Sequence, residues 1–133
     1  MGDARQTAAA RLGASAERLV ALRLAGAGWS ILDRNVRVGR GELDLVAVDP
    51  GPPQMLVVVE VRCRGRRDFG LAEESLDRRK RAALRRAAGT LLAGGVLPDG
   101  RRLPPFAWRL DLVAIDRGRD GRARVRHHRG IRL

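Results

Sequence analysis

Several residue types are scarce in this chain of 133 residues, and each scarcity excludes a kind of structure or function. Cys63 is the single cysteine, so no disulfide can form within the chain, and its place beside Val61 predicts a small buried thiol. The two histidines are adjacent, at 127 and 128, without the spaced partners of a zinc site. Two Trp, two Phe and no Tyr leave few rings for base stacking, which favours recognition of a nucleic-acid backbone.

Long apolar runs are also absent. No stretch approaches the roughly 18 residues that span a membrane, and residues 1–6 lack the apolar segment of a secretory signal. We therefore expect a cytoplasmic protein without a membrane partner. The length suits a single domain, predicted to cover residues 1–133, with residues 1–6 flexible and residues 117–133 forming a basic tail or an extra strand.

Acidic residues are few relative to basic ones. The chain has 27 Lys and Arg against 15 Asp and Glu, a formal net charge of +12, so a polyanion such as nucleic acid is the first partner to consider. Lys80 is the only lysine. A GC-rich genome favours arginine codons without selection for function, so the sign of the charge is more informative than the number of arginines.

The hydrophobic pattern predicts two helices and five strands in an α/β fold. Apolar residues at helical spacing indicate one helix from Thr7 to about Ala27 and a second from Ser75 to about Ala93. Alternating runs bounded by Gly and Pro indicate strands. They cover residues 29–38, 42–48, 56–62, 106–115 and, more weakly, 122–128. The predicted order is αβββαββ, with the third strand apolar on both faces and therefore central.

The second and third strands carry two carboxylates at matching positions. The Pro- and Gly-rich segment 49–54 predicts a hairpin centred near Pro52, which places Asp44 opposite Glu60 on one face, with Cβ atoms roughly 4.5–5.5 Å apart. Like charges at that distance destabilise a sheet unless a cation, a basic side chain or a shared proton lies between them. The pair therefore has the outline of a metal site.

Two further residues of the hairpin leave a second explanation open. Arg62 shares a face with Glu60, and Glu42 is predicted to lie opposite Arg62. Glu42, Asp44, Glu60 and Arg62 would then form a structural ion-pair network without any chemistry, an arrangement that mimics functional sites.

Glu17 in the first helix adds a third carboxylate. It lies on a stripe of small and apolar residues, with Gly13, Val20, Ala21 and Leu24 at helical spacing, which should face the sheet. Either Glu17 reaches solvent from the edge of the stripe, or it converges on the pair formed by Asp44 and Glu60.

Several spaced motifs resemble one protein family. In order along the chain they are Ala16-Glu17, Gly28-Trp29, Arg34-Asn35-Val36-Arg37, Gly41-Glu42-Leu43-Asp44-Leu45-Val46, Val59-Glu60-Val61-Arg62 and Arg109-Leu110-Asp111-Leu112-Val113. Across residues 11–116 the chain strongly resembles the YraN family of small bacterial proteins, uncharacterised protein family 0102. Through that family it resembles the restriction-endonuclease-like, PD-(D/E)xK, superfamily and is similar to archaeal Holliday junction resolvases. The resemblance implies a mixed central sheet flanked by helices.

The resemblance also implies a catalytic site that uses Mg²⁺ or Mn²⁺. Asp44 and Glu60 would supply ligands, Glu17 would add an outer or direct carboxylate, and position 62 would hold the base of the E-x-K motif. This chain has Arg62 there, and a guanidinium stays protonated, so it can orient water or stabilise charge but cannot act as a base. Lys80 and Glu42 are auxiliary candidates, and the ammonium of Lys80 could reach the site from the second helix.

Basic residues flank the proposed site and are candidates for contacts with nucleic-acid phosphates. They are Arg34, Arg37 and Arg40 near the first hairpin and Arg64, Arg66 and Arg67 after the third strand. Asn35 is a candidate for nucleic-acid contact or for capping a turn. Asp111 belongs to a family motif, and we expect it to form an internal salt bridge.

Three functions fit these observations. The first is a metal-dependent, structure-selective endonuclease acting on branched or damaged DNA, and the second is a nuclease-fold protein that binds nucleic acid without cutting it. The third is a basic protein-interaction module. The resemblance to resolvases also implies a homodimer, because paired sites cut paired strands.

Overall fold

A computed structural model describes residues 8–65, 70–118 and 120–133 and, for residues 8–12, the backbone alone. Arg66, Arg67 and the expected flexibility of residues 1–6 lie outside this part of the chain. The elements are α1 (Ala8–Gly26), β1 (Ser30–Val38), β2 (Gly41–Asp49), β3 (Met55–Arg64), the 3₁₀ turn η1 (Ala72–Ser75), α2 (Arg78–Gly94), β4 (Trp108–Arg117) and β5 (Ala123–His128).

The five strands form one mixed sheet in the order β1-β2-β3-β4-β5. The pairs β1–β2, β2–β3 and β4–β5 are antiparallel, whereas β3 and β4 are parallel and are joined through α2. The predicted α/β fold with the order αβββαββ is confirmed. Because β5 pairs with β4 along its whole length, the basic C-terminal segment contains an extra strand.

The two helices cover opposite faces of the sheet, each over its own apolar cluster. The α1 cluster contains Ala16, Val20, Ala21, Leu24, Trp29, Leu45, Ala47, Val57, Val59, Val113 and Ile115. The α2 cluster contains Val36, Leu43, Val46, Leu56, Val58, Leu76, Leu84, Ala87, Ala88, Leu91, Leu97, Leu110 and Leu112. Successive residues of β3 thus alternate between the two clusters, as expected for a central strand covered on both faces. Cys63 is half-buried and packs against the α1 cluster.

Local capping sets the ends of α2. Asp77 is the N-cap, and its side chain accepts a hydrogen bond from the backbone N–H of Lys80. Gly95 follows the helix in the left-handed conformation, with φ of 71°, and its N–H donates to Leu91. Such caps satisfy backbone groups that the helix itself leaves unpaired. The helix therefore begins at Arg78, three residues after the predicted start at Ser75, which belongs to η1.

Asp111 of β4 is the centre of a buried ionic network. It is 0% exposed and accepts hydrogen bonds from Arg109 Nε at 2.9 Å, His127 Nε2 at 2.8 Å and the Gly130 N–H at 2.9 Å. Burial acts to raise the pKa of Asp111, but the bonds from His127 and Arg109 outweigh it and lower the pKa. Arg109 also binds Asp49 of β2 at 2.7 Å. The expected internal salt bridge of Asp111 is confirmed.

Candidate active site

The site is built where the pairing of β2 with β3 ends. The hairpin register is the one that the turn at Pro52 predicts, and its last ladder pair is Leu45 with Val59. Asp44 and Glu60 are the next residues on the two strands. Instead of a further ladder bond, the Val61 N–H donates to Asp44 Oδ2 at 2.8 Å. The Asp44 carboxylate is therefore fixed by the backbone of the neighbouring strand.

β2 changes face at Asp44. Leu43 packs in the α2 cluster and Leu45 packs in the α1 cluster, although a regular strand places residues i and i+2 on one face. In β1, Asn35 lies between Arg34, which pairs with Leu45, and Val36, which pairs with Leu43. Asn35 has φ of 51° and, among the described residues, is the only non-glycine residue with positive φ. The irregularities of β1 and β2 thus lie side by side, next to the Asp44 carboxylate.

Asn35 links the helix to this irregularity. With the amide nitrogen turned toward the carboxylates, Asn35 donates to Glu17 Oε2 at 2.6 Å and to Glu42 Oε1 at 3.3 Å. These two acceptors fix the amide orientation, since carboxylate oxygens can only accept. Sequence reasoning gave Asn35 a role toward nucleic acid or in a turn and did not anticipate these contacts. The sequence feature that could have indicated the positive φ is the residue type, since Asn adopts the left-handed conformation more readily than most residues.

The three predicted carboxylates influence one another strongly. Burial, together with the charge of Asp44 and a hydrogen bond to it, raises the pKa of Glu17 to about 7. Burial, followed by the hydrogen bond to Asp44 and its charge, raises the pKa of Glu60 to about 9, although the nearby charge of Arg62 opposes this shift. Asp44 is thus the common neighbour of Glu17 and Glu60. Carboxylates this close repel one another unless a cation or a shared proton lies between them.

Arg62 lies beside Glu60 without binding it tightly. Arg62 Nε is 3.8 Å from Glu60 Oε1, and the buried Nε atoms of Arg62 and Arg64 have no hydrogen-bond partner within the described chain. The described ladder of β2 and β3 ends before it reaches Glu42 and Arg62, so the two residues form no ladder pair there, and on its other side Glu42 pairs with Arg37 of β1. The four-residue ion-pair network is therefore reduced to the contact of Arg62 with Glu60.

The donor set suits a hard divalent cation. Glu17, Asp44 and Glu60 bring carboxylate oxygens close together, and Mg²⁺ and Mn²⁺ prefer oxygen ligands. The carboxylates contact one another through hydrogen bonds, and within the described ranges no three Asp, Glu, His or Cys side chains already surround one point as ligands. A cation bound among these carboxylates would offset their mutual repulsion.

The predicted basic residues have different positions relative to the site. Arg34 is exposed, and its charge acts to lower the pKa of Glu17, so it lies near that carboxylate. Arg37 is exposed opposite Glu42, and Arg40 is exposed in the turn between β1 and β2. Lys80 is exposed in the first turn of α2.

No helix within the described ranges combines the length and the apolar character needed to cross a membrane.

Comparison with known proteins agrees with the motif pattern. A model of the uncharacterised protein family UPF0102 matches residues 16–115, a range that includes Glu17, Asp44 and Glu60. A UPF0102 protein of Roseiflexus castenholzii is 43% identical over 108 residues, 81% of this chain and 81% of that protein. A UPF0102 protein of Beutenbergia cavernae is 41% identical over 120 residues, 90% of this chain and 94% of that protein. The chain therefore belongs to the uncharacterised protein family UPF0102.

Proposed function

We propose that this protein is a metal-dependent, structure-selective endonuclease of the PD-(D/E)xK kind, similar to archaeal Holliday junction resolvases, that hydrolyses phosphodiester bonds in branched or damaged DNA. One observation carries the proposal. Glu17, Asp44 and Glu60, from three different elements, meet where the β2–β3 ladder ends, and two of them have raised pKa values. Crowded carboxylates with perturbed pKa values are more frequent at functional sites than elsewhere.

Each residue has a distinct part in the proposed reaction. Asp44 and Glu60 would hold Mg²⁺ or Mn²⁺, and Glu17 would bind the ion directly or through water. When bound, the ion polarises the phosphodiester and lowers the pKa of an attacking water. The N–H of Val61 and the amide of Asn35 keep the carboxylates oriented. Arg62, always protonated, stabilises negative charge that develops on the phosphoryl oxygens.

The proposal predicts that Asp44→Ala and Glu60→Ala each abolish Mn²⁺ binding and lower cleavage at least about 100-fold, because each removes a ligand to the catalytic ion. The measurement pairs calorimetric titration of Mn²⁺ with cleavage of four-way, flapped and linear DNA. Glu74→Ala is the control, since Glu74 is exposed in η1. Cleavage that persists in both site variants would end the assignment.

Arg62 favours a second function, the binding of nucleic acid without cleavage. The E-x-K pattern uses a lysine that can lose its proton, and a guanidinium cannot replace it in that role. In that case DNA binding depends on salt but not on metal, and Arg62→Lys introduces cleavage that the natural chain lacks. The same assays separate the two functions.

A further inference from the structure

A pocket of about 290 Å³ lies between the β1–β2 turn and α2. The turn contributes Gly39, Arg40 and Gly41, and the helix contributes Ala83, Arg86 and Thr90. Arg40, Arg86 and Thr90 are exposed, so their polar groups are available to a ligand from solvent. None of these residues belongs to the carboxylate site.

The chemistry of the pocket suits an anion. Two arginines from different elements border it, Thr90 adds a hydroxyl, and no acidic residue lines it. Neither Arg40 nor Arg86 forms an ion pair within the part of the chain that the structure describes. Guanidinium groups bind phosphate oxygens through paired N–H donors. Two unpaired guanidinium groups beside one cavity are therefore arranged for a phosphate.

Tight packing fixes the turn against the helix. A Cβ atom added to Gly41 would lie 3.0 Å from the Cβ of Ala87, and Gly39 has φ of 57°. The two glycines let the turn approach α2 closely and reverse direction, since a side chain would resist both. Arg40 lies on the turn and Arg86 lies on the helix. The close contact between Gly41 and Ala87 therefore sets the distance between the backbones of the two arginines.

The pocket is near the carboxylate site along β2. Gly41 lies at the pocket and Asp44 is three residues further along the same strand, which corresponds to roughly 10 Å at about 3.3 Å per residue. Phosphates of one DNA strand are spaced by at least the axial rise of about 3.4 Å per nucleotide, so a phosphate in the pocket and one at Asp44 would be separated by no more than a few nucleotides.

We propose that the pocket between the β1–β2 turn and α2 binds a backbone phosphate of DNA, within a few nucleotides of the phosphate positioned at Asp44. The inference rests on the proposed function for its ligand class, a nucleic acid. Arg86 and Thr90 would then bind substrate, and the phosphate in this pocket would be the group that Arg40 contacts. The pocket would fix the register of the strand relative to the carboxylates, because phosphate contacts position a protein on nucleic acid.

The test measures binding of the full chain to a fluorescent four-way DNA junction, whose branch point fixes the register of binding, in EDTA and over a series of KCl concentrations. Arg40→Ala and Arg86→Ala should each weaken binding about 5- to 10-fold and reduce the salt slope by about 0.9, the value for one phosphate contact. Both arginines contact the same phosphate. The double variant should therefore show no larger reduction of the salt slope than either single variant. Arg79→Ala is the matched control, since Arg79 is an exposed arginine of α2 outside this pocket.

A methylphosphonate scan identifies the ligand. Neutralising one phosphate at a time should reveal a position that weakens binding of the natural chain but not of the double variant. Equal effects of Arg79→Ala and Arg86→Ala, or the absence of such a position, would overturn the inference. Neither measurement involves cleavage. The phosphate-binding proposal can therefore be refuted while metal-dependent cleavage is found, and the nuclease proposal can be refuted while phosphate binding is confirmed.

Discussion

Asn35 is the residue whose conformation is most closely tied to the candidate site. It takes a positive φ inside a β-strand, directly opposite Asp44, and its amide reaches Glu17. Residues in sparsely populated conformations persist only when their surroundings hold them there, and they are concentrated at functional sites. The geometry of β1 is thus irregular at the residue whose amide contacts Glu17 of α1.

Two substitutions separate the backbone role of Asn35 from the role of its amide. Asn35→Gly accepts the positive φ, whereas Asn35→Ala should be less stable than the glycine variant by about 1 kcal/mol. Both variants lose the bond to Glu17, so Mn²⁺ affinity should fall about 10- to 100-fold in each, as for other residues that orient metal ligands. Urea denaturation and calorimetry supply the two readouts. Unchanged affinity in Asn35→Gly would show that the amide does not position Glu17.

At the scale of elements, η1 is attached to the sheet by a bidentate ion pair and by the Ala72 N–H, which donates to Asp116 Oδ1 of β4 at 3.1 Å. Glu73 of η1 accepts from Arg126 Nε and Nη2 of β5, both at 2.7 Å, and from His128 Nε2 at 2.8 Å. Arg126 also contacts Asp116 of β4. The hydrogen bonds from Arg126, the leading cause, lower the pKa of Glu73 to about 2, although burial opposes them. These contacts therefore fix η1, which lies between β3 and α2 in the chain, relative to β4 and β5.

This attachment should depend on pH. The folded pKa of Glu73 lies below the ordinary value of 4.5, so its contribution is complete above about pH 4.5 and is lost as the pH falls toward about 2. Glu73→Gln should lower the free energy of unfolding at pH 7 by about 1 to 2 kcal/mol, because a charged hydrogen-bond acceptor is lost from a partly exposed site. Urea denaturation from pH 7 to pH 3 should show the difference shrinking.

Glu74→Gln is the matched control for that series, since Glu74 is the adjacent residue of η1 and is exposed. It should track the natural chain at each pH. A constant difference between Glu73→Gln and the natural chain across the whole range would mean that the ion pair with Arg126 does not carry the effect.

On the proposed function, the molecule separates stability from function along the sheet. At the start of β4, Arg109 neutralises Asp111 and Asp49, and the ring of Trp29 lies under Arg109 and Arg129 at 5.6 and 5.9 Å. At the carboxylate site, the charge of Arg34 opposes that of Glu17 and the charge of Arg62 opposes that of Glu60. On the proposed function, a bound cation would supply further positive charge there.

Asp111→Asn tests this separation. The substitution leaves Arg109 paired with Asp49 alone and removes one acceptor oxygen from the donors around position 111, so the free energy of unfolding should fall by about 1 to 3 kcal/mol. Asp99→Asn is the control, because Asp99 also pairs with the arginine two residues away, Arg101, but at an exposed site, and its effect should be small. Folded Asp111→Asn should keep its Mn²⁺ affinity, and a comparable loss of stability in both variants would contradict the assignment of Asp111 to the core.

Most of the secondary structure was predictable because it depends on local patterns. Alternation in β2 and β3 and the proline-rich turn predicted a hairpin register in which Leu45 pairs with Val59, and the structure has that register. The start of α2 was misplaced because Asp77, rather than Ser75, caps the helix. Proximity of Glu17 to Asp44 followed only from the helical stripe together with the resemblance to the YraN family.

The sequence by itself determined the order of the elements, the excess of positive charge and the matching of Asp44 with Glu60, because these follow from composition and from periods of two and 3.6 residues. Only the tertiary structure decided where the β2–β3 ladder stops, that Asn35 takes a positive φ and holds Glu17, and that Asp111 binds His127 and Gly130. These features depend on contacts between segments distant in the chain. Local periodicity does not encode such contacts, and packing of the two helices on the sheet selects them.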